Sequence, residues 1–344
     1  MNDARLPVQS RRRRTATCWA TLVLGLGLAA GATAREGGHW ESRAALALAR
    51  QETGAARIGN TVYVVGGLVG SGFVRATATV EVYDLDRDTW FAGPAMPVAL
   101  DHMGVAALGD QLVVVGGFSG DFRARNGVWV LDTRTGQWTP RRALPEARGA
   151  CWAVAHAGRL YVLGGMNAAG SATASTWIYD PHADSWSRGA DMPTPREHLV
   201  AVSNGNYVYA IGGRAPGLGA FGTLERYDPG ANTWRSLRAM PTARAAPAAA
   251  VLDGNIHVAG GETPRLFAEH EVYDVARDTW SCRGPMALPR HGVAAVALSA
   301  AILVPGGGRS LGLGPSSAVD VFVPEPVGVR GEPWSAVKSR FRAP

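Results

Sequence analysis

Arginine recurs at one fixed position along this 344-residue chain. The position lies 16 residues before a Gly-Gly pair, and leucine takes it in one case of six. Its occupants are Arg50, Leu100, Arg148, Arg196, Arg244 and Arg290. A guanidinium group binds carboxylate, sulfate or phosphate through paired hydrogen bonds, so a group of arginines favours an anionic ligand. Alternatively, these arginines pair with backbone carbonyls or nearby acids.

Carboxylates and imidazoles follow some of these positions directly. Carboxyl and imidazole groups are the types used for proton transfer in enzymes. Glu52 and His291 stand at neighbouring positions in two further repeats. Solvated loop residues would have the same composition, so the sequence leaves both interpretations open. The candidates for catalytic residues are Asp101, His102, Glu197 and His198.

Common enzyme motifs are missing or stand in the wrong context. Residues 217–222 match a dinucleotide-binding glycine pattern, but they lead into a predicted strand rather than a helix. The sequence contains no phosphate-binding loop of the Walker type and no Cys-x-x-Cys pair. We therefore expect no cofactor.

A repeat must position these residues. The pairs are Gly66-Gly67, Gly116-Gly117, Gly164-Gly165, Gly212-Gly213, Gly260-Gly261 and Gly306-Gly307. A tryptophan precedes the first glycine of each pair by 26 residues in all six cases. These are Trp40, Trp90, Trp138, Trp186, Trp234 and Trp280. A fixed period of this length indicates a repeat architecture.

Each period contains alternating runs typical of β-strands. One example is 160–163, which ends at a Gly pair, and another is 80–84, which ends in Tyr-Asp. β-Branched and aromatic residues with period-two alternation predict four strands per repeat. The 44 glycines and 21 prolines mark many turns and argue against a helical bundle. The chain is therefore predicted to be all-β.

This pattern resembles the kelch family over about residues 39–323. In that family Gly-Gly closes the second strand, Tyr-Asp lies in the third and Trp in the fourth. The WD40 pattern does not fit, because no Trp-Asp dipeptide closes a repeat. The resemblance implies a six-bladed β-propeller, in which the glycines, tyrosines and tryptophans are structural.

Trp40 indicates how the propeller closes. It is a fourth-strand tryptophan without three strands before it, and the last repeat has three strands without a matching tryptophan. We therefore expect the N-terminal strand to complete the last blade, which removes an open edge. The predicted domains are a signal peptide at 1–34, the propeller at 35–324 and a basic, proline-containing tail at 325–344.

In a kelch propeller the residues singled out above belong to loops at one mouth of the central channel, where ligands bind. Residues directly after the Gly pairs belong to the same mouth. The ligand-binding candidates are Arg50, Arg148, Arg196, Arg244, Arg290, Arg214, Glu262 and Phe118. His102, His198 and His291 come from alternate blades across the channel, so we expect no metal.

Residues 1–34 have the features of an export signal, with a basic start, an apolar stretch and Ala32-Thr33-Ala34 as a cleavage site. The sequence leaves general secretion and twin-arginine export open. Removing its five arginines and one aspartate lowers the net charge from +6 to +2. Bulk attraction to nucleic acid or to an anionic membrane then has little support. We expect a periplasmic or secreted bacterial protein with two separate buried thiols, Cys151 and Cys282.

The expected function is that of an exported binding module with its ligand site at the channel mouth. Its partner would be a small anionic or sugar ligand, or a protein or peptide. We expect no nucleic acid, no stable membrane insertion after signal cleavage, and a monomer. The alternative is a carbohydrate-active enzyme, because six-bladed kelch propellers of bacterial periplasms include sialic-acid epimerases of the mutarotase type.

Overall fold

The computed structural model describes residues 37–70 and 73–325. These residues form β-strands joined by turns and loops, without a helix, which confirms the all-β prediction. The described part of the chain accordingly includes no helix suited to crossing a membrane. The predicted signal segment and all but the first residue of the predicted tail lie outside the described residues.

The strands follow one another with short connections. In chain order they are β1 (His39–Ser42), β2 (Arg50–Gln51), β3 (Gly54–Ile58), β4 (Thr61–Val65), β5 (Leu68–Val69), β6 (Arg75–Ala76), β7 (Val80–Asp84), β8 (Thr89–Ala92), β9 (Gly104–Leu108), β10 (Gln111–Val115), β11 (Val128–Asp132), β12 (Gln137–Pro140), β13 (Trp152–His156), β14 (Arg159–Leu163), β15 (Thr176–Asp180), β16 (Ser185–Arg188), β17 (Val200–Ser203), β18 (Val208–Ile211), β19 (Arg214–Ala215), β20 (Gly219–Ala220), β21 (Leu224–Asp228), β22 (Thr233–Ser236), β23 (Ala248–Leu252), β24 (Asn255–Ala259), β25 (His270–Asp274), β26 (Thr279–Arg283), β27 (Val296–Ala297), β28 (Ile302–Pro305) and β29 (Val319–Val323).

Six four-stranded antiparallel sheets contain most of these strands. We number them in chain order. Sheet I is β3-β4-β7-β8, sheet II is β9 to β12, sheet III is β13 to β16, sheet IV is β17-β18-β21-β22, sheet V is β23 to β26, and sheet VI is β27-β28-β29-β1. The short strands β2, β5, β6, β19 and β20 form two small additional sheets beside the loops.

The N-terminal strand pairs with the last strand of the described chain, as the position of Trp40 predicts. Strand β1 runs antiparallel to β29, with Trp40 opposite Phe322 and His39 opposite Val323. The indole of Trp40 also packs against Phe322, with ring centroids 5.5 Å apart. Sheet VI therefore combines residues from both ends of the described chain, and its third strand is not left with an open edge.

The six tryptophans of the repeat have one structural role. Each indole Nε1 donates a hydrogen bond of 2.7–3.0 Å to a backbone carbonyl in the segment that precedes its sheet or, for Trp40, in the segment after β26. The acceptors for Trp90 and Trp138, for example, are Ala44 and Pro94. The tryptophans therefore tie neighbouring sheets together, as the structural interpretation of the repeat expects.

The Gly pairs make a second set of links between sheets. Gly66 has a φ of 59°, and a Cβ there would lie 2.5 Å from the carbonyl oxygen of Leu100. The amide of Gly67 donates to that same oxygen at 2.8 Å. The second glycine of every pair repeats this bond, and the last one runs from Gly307 to Arg50. Only a residue without a side chain allows this close approach in a left-handed conformation.

The two cysteines of the described residues differ. Cys151 is a free thiol that is 3% exposed, as predicted. Cys282 lies on β26, is exposed and is disulfide-bonded, so the prediction of a second buried free thiol is wrong.

Candidate functional site

Six residues form a closed ring of backbone hydrogen bonds at the centre of the fold. Each stands two positions after one of the repeat positions that are arginine in five cases of six, namely 50, 100, 148, 196, 244 and 290. Each amide donates to the backbone carbonyl of the previous member at 2.8–3.1 Å. The members are Glu52, His102, Ala150, His198, Ala246 and Gly292. All six have positive φ values of 50–58°. We call this set the channel ring, because its residues line one small central space.

Three side chains of the channel ring meet in that space. One potential ligand atom from each of Glu52, His102 and His198 lies within 4.8 Å of the others. Nε2 of His102 is 3.4 Å from Oε2 of Glu52, and the two imidazole centroids are 5.0 Å apart. On the other side of Glu52, Nδ1 of His291 is 3.4 Å from Oε1. One carboxylate is thus surrounded by imidazoles from three other sheets' loops.

Each of the two ring histidines is held by the acid before it. Nδ1 of His102 is 2.6 Å from Oδ1 of Asp101, and Nδ1 of His198 contacts Oε2 of Glu197. Both acids are buried. Because Nδ1 donates to a carboxylate in each case, Nε2 of each ring faces the channel, with a lone pair when the ring is neutral and a proton when the ring is charged.

Arg214 and Glu262 extend this network towards solvent. Nε of Arg214 donates to Oε1 of Glu197 at 2.7 Å, and Nη1 donates to Oε1 of Glu262 at 2.9 Å. Its Nη2 lies 3.4 Å from Nε2 of His198. The Arg214 side chain is 30% exposed, so it is the part of this network that a ligand reaches first.

The environment pushes the three ring groups to different protonation states. Burial opposes ionisation of Glu52, but the neighbouring histidines, His102 first, hold its pKa well below the ordinary value. Burial lowers the pKa of His102, yet the carboxylates of Glu52 and Asp101 raise it overall. Burial dominates at His198 and lowers its pKa well below the ordinary value. Neighbouring groups whose pKa values are shifted in different directions are typical of sites that transfer protons.

A cavity of about 410 Å³ opens above the channel ring. Its floor includes Glu52, His102 and His198, and Arg214 and Glu262 lie at its side. Apolar side chains from four loops form the remaining wall, namely Leu68, Phe118, Phe122, Met166 and Leu313. We call this space the mouth cavity. It is within the usual volume range of small-molecule sites.

The five arginines of the repeat do not face the mouth cavity. Arg50, Arg196, Arg244 and Arg290 are 0% exposed and Arg148 is 3% exposed. Their guanidinium groups bind backbone carbonyls and acids of their own sheets, as Arg196 does with Glu225 at 2.6 Å and Arg244 with Glu271 at 2.8 Å. The expectation that Arg50, Arg148, Arg196, Arg244 and Arg290 bind an anionic ligand is therefore corrected. Both Nη atoms of each guanidinium donate inside the protein, and the buried side chains have little surface to offer a ligand.

The sequence contains a signal for this pairing. In sheets I, IV, V and VI the arginine forms an ion pair with an acid on the third strand. This acid stands two positions before the aromatic residue of that strand. The four acids are Glu81, Glu225, Glu271 and Asp320. In sheet II, where Leu100 replaces arginine, that place is Trp129. In sheet III it is Trp177, and Arg148 turns instead to Glu146 and Ser175. Arginine and acid are thus present together in four sheets and absent together in sheet II, and sheet III is the exception.

The other candidates come together at the mouth. The cavity is lined by His102, His198, Arg214, Glu262 and Phe118. Asp101 and Glu197 hold the two histidines from behind. Several residues that line the cavity were not among the predicted site residues, and Glu52 and Phe122 matter most among them. Glu52 could have been found, since it occupies the same place in its repeat as His102 and His198. Phe122 lies in a loop of variable length, for which the repeat gives no register.

The sheets and the repeat define a kelch propeller, and comparison with known proteins agrees. The family described as the KLHDC2/KLHL20/DRC7 Kelch-repeats domain matches residues 52–261 and again residues 105–307. The chain therefore belongs to the kelch-repeat family. Among solved structures it is similar to the one titled "Structure of YjhT", with 18% identity and a TM-score of 0.72. That match covers 83% of this chain and 97% of the other. No curated protein matches the chain.

Proposed function

We propose that this protein is an exported, six-bladed kelch propeller that binds a carbohydrate in its mouth cavity. The observation that carries the proposal is the combination of one apolar wall and one polar floor in a cavity of about 410 Å³. Sites of this type bury most of a small ligand against apolar groups and orient it with a few polar ones.

The charge of the cavity favours a neutral ligand over an anion. Four carboxylates, from Glu52, Asp101, Glu197 and Glu262, lie in or directly behind the floor, and Arg214 is the guanidinium beside them. The buried arginines of the repeat do not alter this balance at the cavity surface, because their charges are paired inside the sheets. A neutral sugar suits both the polar floor and the apolar wall, since its hydroxyls would bind the floor and its C–H face would pack on Phe118 and Phe122.

Isothermal titration calorimetry with a panel of neutral sugars and sugar acids tests this proposal. Phe122→Ser should weaken binding of the preferred sugar about tenfold, which corresponds to about 1.4 kcal/mol. Phe122 is 61% exposed, so the change should leave folding intact. Phe91→Ser is the matched control, because Phe91 is 51% exposed on β8 of sheet I. No binding by any sugar, or equal loss in both variants, would contradict the proposal.

The second candidate is a carbohydrate epimerase of the mutarotase type. Glu52 and His102, 3.4 Å apart with their pKa values shifted in opposite directions, favour it. One group would protonate the ring oxygen of a sugar while the other takes the proton of the anomeric hydroxyl. The ring opens, the carbonyl turns, and reclosure returns both protons. The rate of anomer exchange by NMR tests this, with Glu52→Gln expected to lose it while retaining sugar binding.

A further inference from the structure

Two acid–histidine dipeptides stand at equivalent places in the repeat. Asp101-His102 precedes sheet II and Glu197-His198 precedes sheet IV. In each, the acid binds Nδ1 of its own histidine and leaves Nε2 to the channel. A carboxylate that holds the far nitrogen of an imidazole is the usual outer-shell arrangement of a metal-binding histidine, because it fixes the tautomer and raises the basicity of the ligand atom.

The third member supplies a charged oxygen at a suitable distance. Oε2 of Glu52 is 3.4 Å from Nε2 of His102. Two ligand atoms bound to the same zinc ion at about 2.0–2.1 Å lie roughly 3.3 Å apart in a tetrahedral site. The potential ligand atoms of the three residues all lie within 4.8 Å of one another. The backbone bonds of the channel ring hold all three residues in place.

The surroundings also favour a cation. The carboxylates of Asp101, Glu197 and Glu262 lie behind or beside the trio, while Arg214 is the guanidinium beside it. Arg214 approaches Nε2 of His198 to 3.4 Å, so it opposes an ion unless it turns towards Glu262. Oε1 of Glu262 already accepts from it at 2.9 Å.

We propose that Glu52, His102 and His198 bind a divalent transition-metal ion of the zinc type at the floor of the mouth cavity. The trio is a two-histidine, one-carboxylate set with room above it for a water or a ligand oxygen, as in open metal sites. This goes beyond the expectation of a metal-free protein and does not depend on sugar binding. An ion there would occupy the imidazole nitrogen that the epimerase alternative needs for proton transfer.

The test is titration of the full chain, produced without a histidine tag and treated with a chelator, with Zn²⁺ alone. One ion per chain should bind, and Co²⁺ in the same site should give the visible absorption of a nitrogen- and oxygen-ligated ion. Glu52→Gln and His198→Gln should abolish this one-to-one binding. Asp101→Asn and Glu197→Gln touch no ion and should weaken it about 10- to 100-fold.

The controls separate the site from adventitious histidine binding. Glu269→Gln changes the acid of another acid–histidine dipeptide, Glu269-His270, whose histidine lies on β25 of sheet V. His182→Gln removes an exposed histidine. Both should keep the wild-type affinity, and Arg214→Met should bind Zn²⁺ more tightly. Binding that survives Glu52→Gln and His198→Gln, or the absence of one-to-one binding by the folded wild type, would overturn the proposal. Sugar titration of the chelator-treated protein shows separately whether the proposed function holds.

Discussion

Arg196 and Glu225 form an ion pair from which solvent is excluded. Nη1 of Arg196 lies 2.6 Å from Oε2 of Glu225, and both side chains are 0% exposed. Thr194 donates to the other carboxylate oxygen at 2.7 Å, and Arg196 also donates to the carbonyl of Ala210 at 3.1 Å. Burial of two charges is tolerated when such additional hydrogen bonds accompany the pair. This pair fixes the loop before sheet IV to the third strand of that sheet.

The first prediction concerns this pair. Arg196→Leu leaves the carboxylate of Glu225 buried without its partner, and we expect a loss of about 3–5 kcal/mol in the free energy of unfolding. Adding Glu225→Trp reproduces the Leu100 and Trp129 combination of sheet II and should recover part of that loss. Urea unfolding of the two single variants and the double variant gives the coupling energy. Purely additive effects would show that the two positions do not act as a pair.

Much of the fold could be predicted from the sequence because the residues that define the repeat each have a local structural role. A Gly pair requires positive φ, and a tryptophan at a constant distance requires the same neighbour in each sheet. Both constraints are visible as spacing. The pairing of the N-terminal strand was predictable for the same reason, since Trp40 keeps the spacing without its own sheet.

The direction of the arginine side chains was harder to predict. Arg50 and Glu52 are two residues apart, yet the first is buried within sheet I and the second reaches the channel. Composition cannot separate these outcomes, because both residues are charged. The left-handed backbone conformation at Glu52 directs its side chain into the channel. This conformation depends on backbone hydrogen bonds with Gly292 and His102, which belong to other repeats. The sequence therefore predicted which loops form the site, whereas the residues of its floor could be identified only once the channel ring was seen in the structure.

The second prediction uses Gly292, the one glycine of the channel ring. A Cβ at this position would lie 2.3 Å from Oε1 of Glu52, so Gly292→Ala must displace the carboxylate. We expect binding of Zn²⁺ and of the preferred sugar to weaken about tenfold or more, equivalent to at least about 1.4 kcal/mol each. Calorimetry on the folded variant measures both.

Gly217→Ala is the matched control for this change. Gly217 also has a positive φ, 76°, but a Cβ there would meet no atom within 4 Å. The backbone strain is therefore shared, whereas the clash with Glu52 is not. If both variants lose binding equally, the displacement of Glu52 is not the cause.

The third prediction concerns the N-terminal strand. Trp40→Ala removes a hydrogen bond to the carbonyl of Gly284 and the contacts with Phe322 and His270. Since Trp40 is only partly buried, we expect a loss of about 2 kcal/mol, below the about 3–5 kcal/mol typical of fully buried tryptophan. Trp186→Ala, at the equivalent place in sheet III, should cost a similar amount by thermal unfolding. A negligible effect of Trp40→Ala alone would mean that β1 contributes little to sheet VI.

The fourth prediction is acid sensitivity at the junction of sheets V and VI. His257 and His270 are buried with Nδ1 of the first 3.0 Å from Nε2 of the second. Burial and Arg283 lower the pKa of His257 to about 4, and burial, with His257 itself contributing, lowers the pKa of His270 well below its ordinary value. In the unfolded chain both have an ordinary pKa of about 6.5, so the unfolded state binds more protons between these values. Stability is then complete above about pH 6.5 and falls progressively as the pH drops towards 4.

The shift at His257 alone corresponds to roughly 3 kcal/mol of stability lost over this interval, at 1.36 kcal/mol per pKa unit. Melting temperatures between pH 4 and pH 8 measure the effect. The double variant His257→Leu, His270→Leu removes both titrating groups, so its melting temperature should vary less with pH than that of the wild type. His182→Gln changes an exposed histidine and should reproduce the wild-type slope. An unchanged slope in the double variant would assign the acid sensitivity to other groups, such as the buried His198 of the channel ring, whose pKa is also lowered.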